Sequence, residues 1–120
     1  MKFRNIEALH SFVVLQNLHE CGKLGFVIAK NRRKIENELK EYIEAKNALL
    51  VKYGVRSDDD PNQYLIPAEN EKEYLKDSAE LDDIECDISV VYIDSDAFCS
   101  GTLTSDDMYI LDWMVKEAEE

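Results

Sequence analysis

The chain has 120 residues, 45% of them hydrophobic and 33% charged, with a formal net charge of −12. That size fits one domain with a core that needs no metal or disulfide staple, and so acidic a balance argues against direct binding to nucleic acid. The charge also changes sign along the chain: residues 1–56 hold eleven Lys and Arg against six Asp and Glu, whereas residues 57–120 hold three against twenty.

The three cysteines, Cys21, Cys86 and Cys99, are odd in number and form no Cys-x-x-Cys pair, which excludes a disulfide framework and a zinc knuckle. The longest apolar run is too short to span a bilayer, and the first residues lack the basic, apolar, small-residue order of an export signal. A cytoplasmic protein is expected, with no membrane contact.

In chain order, Asn5 is a candidate N-cap and Gly22 a left-handed stop, so the first helix is predicted over 6–21. Its apolar residues Ile6, Leu9, Phe12, Val13, Val14, Leu15 and Leu18 do not share one arc, which predicts burial on more than one side, as a central helix or at a subunit interface. From Leu24 to Tyr53, Leu24, Ile28, Ile35, Leu39, Tyr42, Ile43, Leu49, Leu50 and Tyr53 fall within roughly 120°, a core-facing stripe. A short link at Cys21-Gly22-Lys23 then makes residues 1–54 an antiparallel helical hairpin.

Asn31, Arg32 and Lys46 interrupt that stripe beside the densest positive cluster in the chain, Lys30, Arg32, Arg33 and Lys34. Such a cluster steers anions or an acidic partner, although pairing with the chain's own acidic half, or simple solvation, is the favoured reading. Ser57 to Gln63 is a breaker, so residues 55–63 are predicted as a linker.

Residues 64–120 read as a small acidic α+β module. Tyr64-Leu65-Ile66 is a short strand, and Asn70 with Glu73 has the form of a capping box for a helix over 71–82. Cys86 to Ile93 is the strongest strand signal and the expected partner of 64–66, with Ala97-Phe98-Cys99 as a third strand. Thr104 and Asp107 open a last helix over 105–118, whose apolar residues, Tyr109 and Trp113 among them, lie on every side and predict a second neighbour.

Motifs for catalysis are lacking. Counted from Asp94, a calcium loop fails at Phe98, Cys99 and Ser105, so Asp94 and Asp96 read as helix caps. His10 and His19 fall on opposite helix faces, and no phosphate-binding glycine loop exists. No catalytic, cofactor-binding or metal-ligating residue is assigned, and no cofactor is expected.

Gly22-Lys23, then Arg32-Arg33-Lys34, then Val51-Lys52-Tyr53-Gly54 follow one another here, and Leu103-Thr104-Ser105-Asp106-Asp107 leads into Leu111-Asp112-Trp113-Met114. This order resembles that of a group of small bacteriophage and prophage proteins, and the resemblance implies a phage origin with no assigned activity. The expectation is therefore a single α+β domain, non-enzymatic, acting in interaction or assembly as a homo-oligomer. Its candidate partner-binding residues are Lys30, Arg32, Arg33, Lys34, Tyr109 and Trp113. The alternative is an acidic protein that presents carboxylates in place of phosphates to a basic host factor.

Overall fold

A stripe of side chains on one long helix organises the molecule. In a computed structural model, which describes residues 1–60 and 62–115, Leu24, Val27, Ile28, Asn31, Ile35, Leu39 and Tyr42 are buried at helical spacing along a helix of 32 residues, Gly22–Tyr53. The elements in order are β1 (Lys2–Arg4), α1 (Asn5–Gln16), α2 (Gly22–Tyr53), β2 (Val55–Arg56), β3 (Tyr64–Leu65), α3 (Ala68–Asp83), β4 (Glu85–Asp87), α4 (Ser95–Phe98), α5 (Ser105–Leu111) and a 3-10 turn, Asp112–Met114. The class is α+β, with two small antiparallel sheets, β1–β4 and β2–β3.

The first helix differs from the sequence reading at both ends. Arg4, not Asn5, is its N-cap, and Glu7 accepts from the Arg4 backbone N–H at 3.0 Å. Asn5 is instead nearly buried, and its Nδ2 donates to the Leu81 carbonyl at 3.0 Å, tying α1 to the end of α3. The helix stops at Gln16, where the Asn17 side chain turns back to the Val13 carbonyl at 2.8 Å and competes with the next helical turn. Residues 17–21 form the link, and Gly22 has the left-handed φ of 67° there. The α1–α2 hairpin forms as expected, and α1 also packs against α3 and α5. Most of its many-sided apolar surface is thus used inside the molecule, with Val13 left exposed.

The predicted strand partners are wrong. Tyr64 and Leu65 pair with Val55 and Arg56, in the register Val55↔Leu65 and Arg56↔Tyr64, so the stretch read as a linker carries one arm of a hairpin. Of the strand predicted over 86–93, only Cys86 and Asp87 lie in a strand, Glu85–Asp87, which pairs with the three-residue β1 in the register Phe3↔Cys86, and Ile93 makes a single bridge to Val115. Beyond it, Val91 bonds to a side chain: its N–H donates to Asn31 Oδ1 at 2.7 Å and its carbonyl accepts from Asn31 Nδ2 at 2.9 Å. Asn31 therefore does not interrupt the stripe; its amide supplies the donor and acceptor that a neighbouring strand would have offered.

Ala97 and Phe98 belong to the short helix α4, not to a third strand. Helix α3 starts at Ala68, directly after Pro67, so Asn70 and Glu73 are not its capping box, and Asn70 Nδ2 donates to the Tyr53 carbonyl at 2.9 Å. The box at Thr104 and Asp107 is present. The last helix is α only to Leu111 and then tightens into the 3-10 turn; residues 116–118 of the predicted helix lie outside the described residues.

One core joins both halves of the chain: Phe3, Leu15 and Ile35 pack in the same cluster as Ile88, Ile93, Leu111 and Met114. The far third of α2 is covered by α3, with the β2–β3 hairpin at its end. The molecule measures 55 × 30 × 23 Å, with a radius of gyration of 17.6 Å, against about 13–14 Å for a compact chain of this length. Among the described residues, no helix is long and apolar enough to cross a membrane.

Candidate functional site

The positive cluster is one run in sequence but not one patch in space. At 100° per residue, Phe26, Lys30, Arg33 and Lys40 all lie within about 40° of the line opposite the buried Ile35. They are exposed and form the outward ridge of α2. Lys34 sits about 80° round from that line, and Arg32 about 120° round on the other flank. Lys30 Nζ lies 5.5 Å from the centroid of the Phe26 ring, which is 60% exposed. An aromatic ring and three cations therefore share one bare helix face, with the exposed Glu44 further along the same line.

Four ion pairs do join the basic and acidic halves. They run from the Met1 amine to Asp87 (2.9 Å), Arg4 to Asp83 (3.0 Å), Lys23 to Asp94 (2.7 Å) and Lys46 to Asp82 (2.9 Å). Among the described residues, none uses Lys30, Arg32, Arg33 or Lys34. Of the two arms of the favoured expectation, pairing with the acidic half is not seen there, and the four side chains are exposed, as simple solvation requires.

Tyr109 and Trp113 come together at a second place. An open cleft of about 470 Å³ lies between the start of α1 and the last helical segment. Each wall is a helical ridge at i, i+3, i+4 spacing: Glu7, His10 and Ser11 from α1, and Tyr109, Asp112 and Trp113 from α5 and its 3-10 turn. Phe3 and Trp113 meet edge to face inside it, with centroids 5.2 Å apart and planes at 84°. Trp113 Nε1 donates to the buried Ser11 Oγ at 3.1 Å, which holds the indole in place. Tyr109 stands beside it 83% exposed.

The backbone and side-chain donors of Arg4 hold the Glu7 carboxyl below its ordinary value, so Glu7 presents a negative charge at neutral pH. Arg4 is shared between Glu7 and Asp83, which leaves that group net acidic. Asp112 is exposed at the opposite wall. His10 and Ser11 are neighbours here, but no hydrogen bond joins them, and the Ser11 oxygen already accepts from Trp113. The cleft can hold an apolar or cationic group; it does not present an activated nucleophile.

A third polar group lies between α2 and α3. Lys46 bonds to Ser78 and Asp82, and the Tyr42 hydroxyl donates to Asp82. Burial acts to raise the Asp82 carboxyl, but the Tyr42 and Lys46 donors and the Lys46 charge outweigh it and hold it low. Burial and the neighbouring Asp82 push the Tyr42 phenol above its ordinary value. The Lys46 ammonium is committed to the ion pair, so this cluster works as a clamp.

Asp94 caps α4 by accepting from the Ala97 N–H at 3.0 Å, as its acidic turn suggested. Among the described residues, no three His, Cys, Asp or Glu side chains converge on one point. The three cysteines are free thiols.

No family model, curated protein or solved structure matches this chain. Tyr109 and Trp113, both named in the sequence reading, line the cleft together, but that reading missed Phe26 on the ridge and Phe3, Glu7 and Asp112 in the cleft. Phe26 was open to detection, since it is the apolar residue of α2 that lies diametrically opposite Ile35. The cleft was not, because its two walls are about a hundred residues apart in the chain.

Proposed function

We propose that this chain is a non-enzymatic interaction or assembly protein of a bacteriophage or prophage, acting as a homo-oligomer in the host cytoplasm. The observation that carries the proposal is the outward ridge of α2. A chain of net charge −12 keeps Phe26, Lys30, Arg33 and Lys40 exposed on one face, where charge alone favours an acidic partner, and its own copies are acidic. The many-sided apolarity of α1 no longer supports this reading, because α2, α3 and α5 account for most of it. Light scattering across micromolar concentrations is the test. A mass that rises with concentration and falls back in high salt is expected; a strict monomer under all conditions removes the proposal.

The second reading, an acidic mimic of a phosphate backbone, draws on the twenty acidic residues after residue 56. Within α3, however, Lys72 and Lys76 sit on the same outward face as Glu69, Glu73 and Glu80, and break the run of negative charge. Salt-sensitive capture of a basic host protein, lost on neutralising acids within 69–87, is the result this reading requires.

A further inference from the structure

We infer that the ridge of one copy seats in the cleft of the next, with Phe26 against the Trp113 indole and Lys30 and Arg33 facing Glu7 and Asp112. This inference rests on the self-association proposed above and names the two surfaces that carry it. Phe26, Lys30 and Arg33 stand at i, i+4, i+7, the spacing at which a helix offers anchors to a groove. The cleft suits them in form, because its volume of about 470 Å³ takes an aromatic ring with part of a long cationic side chain.

The chemistry also matches. Trp113, held edge to face by the buried Phe3 and hydrogen-bonded to Ser11, offers a part-exposed apolar surface already fixed in orientation, and Tyr109 presents an exposed aromatic ring to a cation. Glu7 and Asp112 supply negative charge on opposite walls. The positive groups nearby are the Met1 amine, which is paired with Asp87, Arg4, which is shared between Glu7 and Asp83, and Lys2.

One copy cannot fill its own cleft. The lining comes from the N-terminal residues, α1 and the last helical segment, with no residue of α2, and the ridge points away from the buried stripe of α2. The contact joins two different surfaces, so each added copy presents a free ridge and a free cleft, and growth ends only if a ring closes.

Two variants that leave the core intact test the pairing: Tyr109→Ser in the cleft, and Phe26→Ser with Lys30→Glu on the ridge. Each alone is expected to weaken association at least tenfold in sedimentation experiments, with an unchanged circular dichroism spectrum. Mixed together, they are expected to form a one-to-one dimer and no larger species, because one intact ridge meets one intact cleft. If the wild type associates and both variants associate equally well, this pairing is wrong while self-association stands. If both variants are weakened but the mixture forms no dimer, the contact is not ridge to cleft. A wild type that stays monomeric removes the pairing and the oligomer together, leaving the cleft to a basic segment of another protein.

Discussion

Three asparagines do the work of secondary structure in this molecule. Asn5 reaches Leu81, Asn31 reaches both backbone groups of Val91, and Asn70 reaches the last turn of α2 at Tyr53. Asn31 is fully buried, and its removal strands a backbone donor and acceptor. Asn31→Ala is therefore expected to lower stability by about 2–5 kcal/mol, measured by urea denaturation. Asp82 offers a pH-dependent counterpart. Its folded pKa is depressed, so its contribution is present above the unfolded value, about 3.9, and is lost as pH falls through the folded value. Asp82→Asn should cost about 1–2 kcal/mol at neutral pH, since both partners keep about a quarter of their surface in water. The two proteins should converge in stability once the pH lies below the depressed folded value. Tyr42 has the opposite sign: its raised pKa keeps its contribution below pH 10 and loses it in stronger base.

At the scale of elements, legibility followed the range of the forces. The stripe of α2 was readable because burial repeats within a single helix, and the Thr104–Asp107 box because its partners are three residues apart. β1 was hidden, since three residues carry no period and their partner lies more than eighty positions away. The 86–93 stretch alternates like a strand and has mostly no strand beside it, because Asn31 takes that place. Gly25 shows a further local demand invisible in the sequence. A β-carbon there would overlap the Glu20 carbonyl, where the link turns into α2. Gly25→Ala should lower stability by about 1–3 kcal/mol, and thermal unfolding monitored by circular dichroism checks this. Thr104→Ala, which removes the α5 cap, should cost about 1 kcal/mol in the same assay.

For the whole molecule, the long helix sets both shape and surface. Its outward face stays bare while the opposite face gathers the core, and the molecule is extended as a result. The division of charge along the chain does not resolve into one positive and one negative body. Arg4, Lys23, Lys46 and the Met1 amine hold the halves together, while Lys30 and Arg33 on the ridge take no part in those ion pairs. Its four sequence neighbours were legible as a cluster, but only the helical wheel and the burial pattern separate Lys30 and Arg33 from Arg32. The most direct test of the ridge as an interface is amine labelling read by mass spectrometry at low and high protein concentration. Lys30 should lose reactivity as concentration rises while the exposed Lys72 on α3 keeps its own. Equal reactivity of Lys30 at both concentrations, or protection of Lys72 in its place, would contradict the account.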